Sequence, residues 1–116
     1  MQTLSPEELA SMAGKRQDDD YEILIAHNPA FMKQYLNRGA DLIVSGHYHG
    51  GMVRITEKQC LLSPYGFPLP KYGYGEFTQG SSHAVVTAGL GDHRIPFRIN
   101  NPPEIVIIHI KSAVAV

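Results

Sequence analysis

A chain of 116 residues and 12.8 kDa has room for one small hydrophobic core. Surface scaling gives roughly 6,300 Å² exposed when folded against roughly 18,500 Å² for the extended chain. A hydrophobic share of 43% with 18% charged residues excludes wholesale disorder, and a net charge of -1 excludes nucleic-acid binding by bulk phosphate neutralisation. The single cysteine, Cys60, excludes an internal disulfide and a thiolate zinc site. No apolar run approaches the ~20 residues that cross a bilayer, and the N-terminus lacks a signal-peptide layout. Six histidines in so short a chain direct the search to metal ligands.

Residues 4–14 predict a short helix. Ser5 is the N-cap, Pro6 takes the first helical position, Glu8 completes a capping box and Gly14 ends it. Residues 15–20 (KRQDDD) read as a solvated loop. Residues 21–26 (YEILIA) predict a buried strand that runs into His27-Asn28-Pro29, with Asn28 as a turn former. Residues 30–38 carry Phe31, Met32, Tyr35 and Leu36 at helical spacing, with Gly39 as C-cap. Residues 41–45 (DLIVS) predict a second buried strand, which ends in Gly46-His47-Tyr48-His49-Gly50-Gly51. Strand, helix and strand in this order make a βαβ unit with parallel strands.

The second half is richer in breakers. Residues 52–55 predict a short strand, and residues 60–80 a long loop without helix. Residues 83–88 (HAVVTA) predict a strand, residues 95–99 a short edge strand, and residues 104–110 (EIVIIHI) a clear strand after the Asn101-Pro102-Pro103 break.

Ligands of open α/β sheets bind at the carboxyl ends of parallel strands, and His27, His47 and His49 all fall there. Read as an extended segment, residues 47–49 send both imidazoles to one side, where they serve one ion or one ion each of a pair. The competing reading is a chance pair on a turn. The strand-end position, the flanking glycines and the third histidine favour a metal role. His83 and His109 read as core or sheet residues, and His93 lies in the GLGDHR loop. A two-metal centre also needs hard anionic ligands. Asp41 lies at the far end of its strand and Asp92 is unsupported, so the ligand set within these residues is short.

The segments ILIAHNP and DLIVSGHYHGG resemble the carboxyl-terminal metal motifs of calcineurin-like metallophosphoesterases. KYGYG at 71–75, AGLG at 88–91 and PFRINNPPEI at 96–105 resemble a bacterial subgroup of small phosphodiesterase-like members, so the likeness covers most of residues 21–110. It implies an α/β fold, the C-terminal half of a four-layer αββα sandwich with mixed sheets and few helices. The whole of residues 1–116 would then be the C-terminal part of one such domain, with residues 1–20 as a helix and solvated loop. It implies that His27 and His47 serve one divalent cation and His49 another. The complete enzyme would use two ions (manganese, iron or zinc) and a bridging hydroxide to hydrolyse a phosphate ester.

The family's Asp-x-His, Gly-Asp-x-x-Asp and Gly-Asn-His-Asp/Glu motifs do not occur here, and no catalytic residue is assigned. The isolated chain is therefore expected to hold metal partly or not at all and to turn over little. The missing half, or a second copy meeting it at exposed sheet edges, is the expected partner. Relatives in the subgroup are often membrane-associated; this chain is expected to be soluble, with membrane attachment only through an absent N-terminal anchor. Arg94 and Tyr72 are the candidates for substrate contact, ahead of Lys71, Tyr74 and Arg98. The alternative function is a non-catalytic metal-binding or interaction module built on the three histidines.

Overall fold

The computed structural model describes residues 4–51, 53–56, 59–62, 71–91 and 98–113. Helix α1 (Pro6–Ala13) opens as the sequence predicts. Ser5 accepts from the Glu8 amide at 3.1 Å while the Glu8 carboxylate accepts from the Ser5 amide at 2.8 Å, and Gly14 ends the helix. Strand β1 (Ile23–Ala26) leads into a 3-10 turn (Pro29–Phe31), started by the Asn28 side chain accepting from the Ala30 amide, and then into helix α2 (Met32–Arg38). Gly39 closes α2 in the left-handed conformation, where glycine carries no Cβ penalty. Strand β2 (Leu42–Ser45) follows, then the hairpin of β3 (Val53–Thr56) and β4 (Gln59–Leu62), and then β5 (Gly75–Gln79) and β6 (Ser82–Val86).

The main sheet is mixed, in the order β1-β2-β6-β5. β1, β2 and β6 are parallel, and β5 runs antiparallel to β6. β3 and β4 form a separate antiparallel pair, joined to the C-terminal segment by a bridge between Val53 and Ile99. The chain is thus α/β with a mixed sheet and few helices, compatible with part of a metallophosphoesterase fold.

The register puts Leu24, Ile43, Ala84 and Phe77 in one row across the sheet. That row faces α1 and α2, whose Leu9, Met32, Tyr35 and Leu36 complete the core with Val86. Two ion pairs fasten the helical layer at the opposite end of the strands from the histidines. Arg38 grips both oxygens of Glu22 at 2.7 and 2.8 Å, and Arg16 holds Asp41 at 3.0 Å.

Several expectations change. Strand β1 is not buried on both sides: among the described residues it is an edge strand, and its Ile23 and Ile25 point away from the helices, Ile25 at 82% exposure. The region read as a long loop contains β4 and β5; β5 forms because Phe77, alternating with polar neighbours, drops onto the core. Residues 104–110 form neither a helix nor a ladder among the described residues, and Ile105 and Ile107 stand about three-quarters exposed. A β-branched run supplies strand propensity, but a strand also needs a neighbouring edge. His83 is a sheet residue of β6, as read, with its side chain exposed, whereas His109 is exposed and in no strand among the described residues. The strand read at 95–99, with Asp92, His93 and Arg94, falls mostly outside the described residues.

Candidate metal centre

The parallel strands β1, β2 and β6 end side by side, so the residues that follow them share one rim of the sheet. His27 follows β1, Gly46-His47 follows β2 and Thr87–Gly91 follows β6. The Ser45 hydroxyl donates to the His27 carbonyl at 3.2 Å, and the Thr87 amide donates to the Ser45 carbonyl at 3.0 Å, which fixes the three tips to one another.

The rings of His27 and His47 meet, with centroids 4.1 Å apart at a tilt of 45°. His49 is turned toward the third tip, its Nδ1 2.9 Å from the Gly91 carbonyl oxygen. A carbonyl only accepts, so Nδ1 carries the hydrogen and in the neutral ring the lone pair lies on Nε2, the arrangement that orients metal-ligating histidines. Burial is the main influence holding His47 below the ordinary histidine range, and the nearby His27 and His49 add to it. A neutral imidazole is the form that binds metal.

The extended geometry expected for residues 47–49 is not what forms. The loop turns twice, and both His47 (φ 64°) and His49 (φ 51°) adopt left-handed backbone conformations. The two imidazoles therefore do not project together as alternate residues of a strand. His47 pairs with His27 instead, and His49 reaches across to the loop after β6. Among the described residues no three His, Cys, Asp or Glu side chains converge on one point. The donor set thus fits a divalent cation as a pair of imidazoles with a third, separately oriented imidazole, and among the described residues no carboxylate joins them as the anionic ligand a dinuclear site needs.

Behind the histidine loop lies a polar lattice. Asn101, only 2% exposed, donates from its side-chain amide to the carbonyls of His49 (2.5 Å) and Gly51 (2.6 Å), and its oxygen accepts from Arg54. The Arg54 guanidinium lies 3.7 Å from the centroid of the Tyr74 ring. The Tyr74 hydroxyl donates to Glu104 at 2.6 Å, and the other Glu104 oxygen accepts from the Ala88 amide at 2.9 Å and the Thr87 hydroxyl at 3.2 Å. Burial is the largest influence on Glu104 and pushes its carboxyl up. The hydrogen bonds from Tyr74, Ala88 and Thr87, with the charge of Arg54, outweigh it and hold the group below the ordinary range. Glu104 in turn raises Tyr74, chiefly through their hydrogen bond.

The residues expected at substrate separate. The Tyr72 ring packs edge-on against Phe77 at 4.9 Å beside the core, with the Lys71 ammonium over it. Tyr74 belongs to the lattice. Arg98 donates to the carbonyls of Gly91, Ala88 and Asn101. Arg94 lies outside the described residues. Sequence reasoning assigned no role to Asn101, Arg54 or Glu104. Asn101 and Glu104 stood in the NNPPEI run, but contacts that span 16 to 52 residues leave no local spacing to read.

The fold and rim together define an α/β protein with a histidine cluster at the carboxyl tips of parallel strands. The chain is 33% identical over 93 residues to an uncharacterized metallophosphoesterase, YkuE, of Bacillus subtilis, an alignment covering 79% of this chain and 32% of the relative. It is 31% identical over 92 residues to an uncharacterized metallophosphoesterase of Aquifex aeolicus (79% and 33% of the two chains). It is 37% identical over 94 residues to a transmembrane protein with metallophosphoesterase domain from Danio rerio (78% and 20%). No protein-family model and no solved structure matches. The chain is a relative of the metallophosphoesterases, and it spans about a third of the length of the two bacterial proteins. Among the described residues no helix is long and apolar enough to cross a membrane.

Proposed function

We propose that this chain is the C-terminal, histidine-bearing part of a metal-dependent phosphoesterase, a phosphodiesterase by its subgroup resemblance, and that the remaining acidic ligands come from outside these 116 residues. The observation that carries the reading is the meeting of His27 and His47 at adjacent strand tips, with His49 oriented separately by Gly91. In this reading His27 and His47 hold one divalent cation and His49 contributes to a second. Bound ions would neutralise phosphate charge and activate water for attack on phosphorus.

The chain's own residues supply orientation. The Gly91 carbonyl fixes the His49 ring, and the Ser45 hydroxyl holds the His27 backbone beside His47. Arg94 is assigned to phosphate oxygens, which a guanidinium matches in geometry. Tyr72 has its ring engaged by Phe77 and Lys71, and its substrate role rests on its hydroxyl.

The second reading, a non-catalytic metal-binding module, draws on the absence of a third converging ligand among the described residues. One experiment separates the two. Bound manganese or zinc is counted per chain, and hydrolysis of bis(p-nitrophenyl) phosphate is measured for this chain alone and for the chain joined to a segment bearing the acidic motifs. Two ions with hydrolysis in the joined form, lost on His47→Ala, supports the phosphodiesterase. One tightly held ion without hydrolysis in either form supports the binding module.

A further inference from the structure

The loop of residues 46–51 holds two non-glycine residues in left-handed conformations, His47 and His49. Such conformations cost of order 1–3 kcal/mol each and persist only where surrounding contacts over-determine them. Two short backbone hydrogen bonds, from Tyr48 to Gly46 and from Gly51 to Tyr48 (both 2.7 Å), close the turn from within. From outside, Asn101 braces it.

A primary amide has two N–H hydrogens and one strong acceptor. At Asn101 the amide nitrogen faces two carbonyls and the oxygen faces Arg54, so every group is matched and the amide has one orientation. The fit is close. A Cβ on Gly50 would stand 2.5 Å from the Asn101 oxygen and 3.0 Å from the Ala88 Cβ. The flanking chain fixes Asn101 in turn: Asn100 donates to the Arg54 carbonyl at 3.3 Å, the Arg54 amide donates to Ile99 at 3.1 Å, and Arg98 donates to the Asn101 carbonyl. Arg98 also donates to the Gly91 carbonyl that orients His49. Residues 98–101 thus touch both sides of the His49 site, its backbone and its ring partner.

We propose that Asn101 is the positioning residue of the histidine loop: by holding the His49 and Gly51 carbonyls it sets the aim of His49, and so the chain's affinity for a divalent cation. The cation half of this inference rests on the proposed function; the aiming of the His49 ring does not. Asparagine is required because an aspartate in its place turns a carboxylate oxygen toward two carbonyls, and a serine has only one hydrogen to give.

The test uses the whole chain with Asn101→Asp, Asn101→Ser and, as a surface control, Asn37→Ala, each checked for folding by circular dichroism. Zinc alone is titrated calorimetrically, and long-range nitrogen–proton spectra of the metal-free chain read which nitrogen of His49 carries the hydrogen. The expected result for Asn101→Asp is zinc binding weakened about tenfold or more, the scale seen when residues behind a metal ligand are changed. The single Nδ1–H signature of His49 is lost with it. Asn101→Ser falls between, and Asn37→Ala matches the parent.

A folded Asn101→Asp chain that keeps both the His49 signature and zinc affinity within about twofold of the parent overturns the proposal. Loss of folding in both Asn101 variants also overturns it, since Asn101 would then hold the fold and not the loop. Should the parent bind no zinc, the metal-site reading falls while the His49 signature alone still decides the positioning: its persistence in Asn101→Asp overturns, its loss supports.

Discussion

Burial and the charges of two neighbouring rings both oppose a proton on His47, so its folded-state value lies below the ordinary 6.5. The unfolded chain then binds more protons than the native one between the two values, and stability rises with pH across that window. The contribution is fully present above 6.5 and is lost as pH falls through the folded value. Urea midpoints of the metal-free chain are expected to drop from about pH 7.5 to about pH 5, and His47→Gln flattens that part of the profile. Gly50 gives a second residue-scale prediction. Its φ of 73° and the clash with Asn101 and Ala88 make Gly50→Ala destabilising by roughly 1–3 kcal/mol in urea denaturation. The sequence shows that glycines flank the histidines. It does not show that one of them sits against an asparagine fifty residues away.

At the scale of elements, α1 tests how far local signals go. The capping box was legible residue by residue, and the structure forms it as read. Ser5→Ala is expected to cost ~1 kcal/mol, seen as a lower urea midpoint with little change in the slope. The same local reasoning overshot at residues 104–110. That run has stronger strand character than β1, yet β1 is in the sheet because β2 lies beside it, and the later run has no such neighbour among the described residues. It undershot at β5, where one apolar residue in five sits under a row of core side chains.

The whole molecule exposes 8076 Å², against roughly 6,300 Å² for a compact monomer of this mass. Among the described residues, large apolar side chains contribute to that surface. Ile23 and Ile25 lie on the side of β1 turned from the helices, and Ile105, Val106, Ile107, Ile108 and Ile110 follow one another near the C-terminal end. Open strand edges with apolar faces associate. Sedimentation velocity of the isolated chain is expected to show concentration-dependent dimers or larger species, and Ile25→Lys with Ile107→Lys shifts it toward monomer. A parent chain that stays monomeric throughout the concentration range refutes this.

The first helix, the βαβ unit, both glycine stops, the capping box and the three strand-end histidines follow from neighbours in the chain. Periodicity, caps and breakers act over a few residues, which is why a single sequence determines them. The pairing of His27 with His47, the turn of His49 toward Gly91, the brace of Asn101 and the open side of β1 depend on which distant segments meet. Those contacts are set by packing a whole sheet, and no local pattern encodes them.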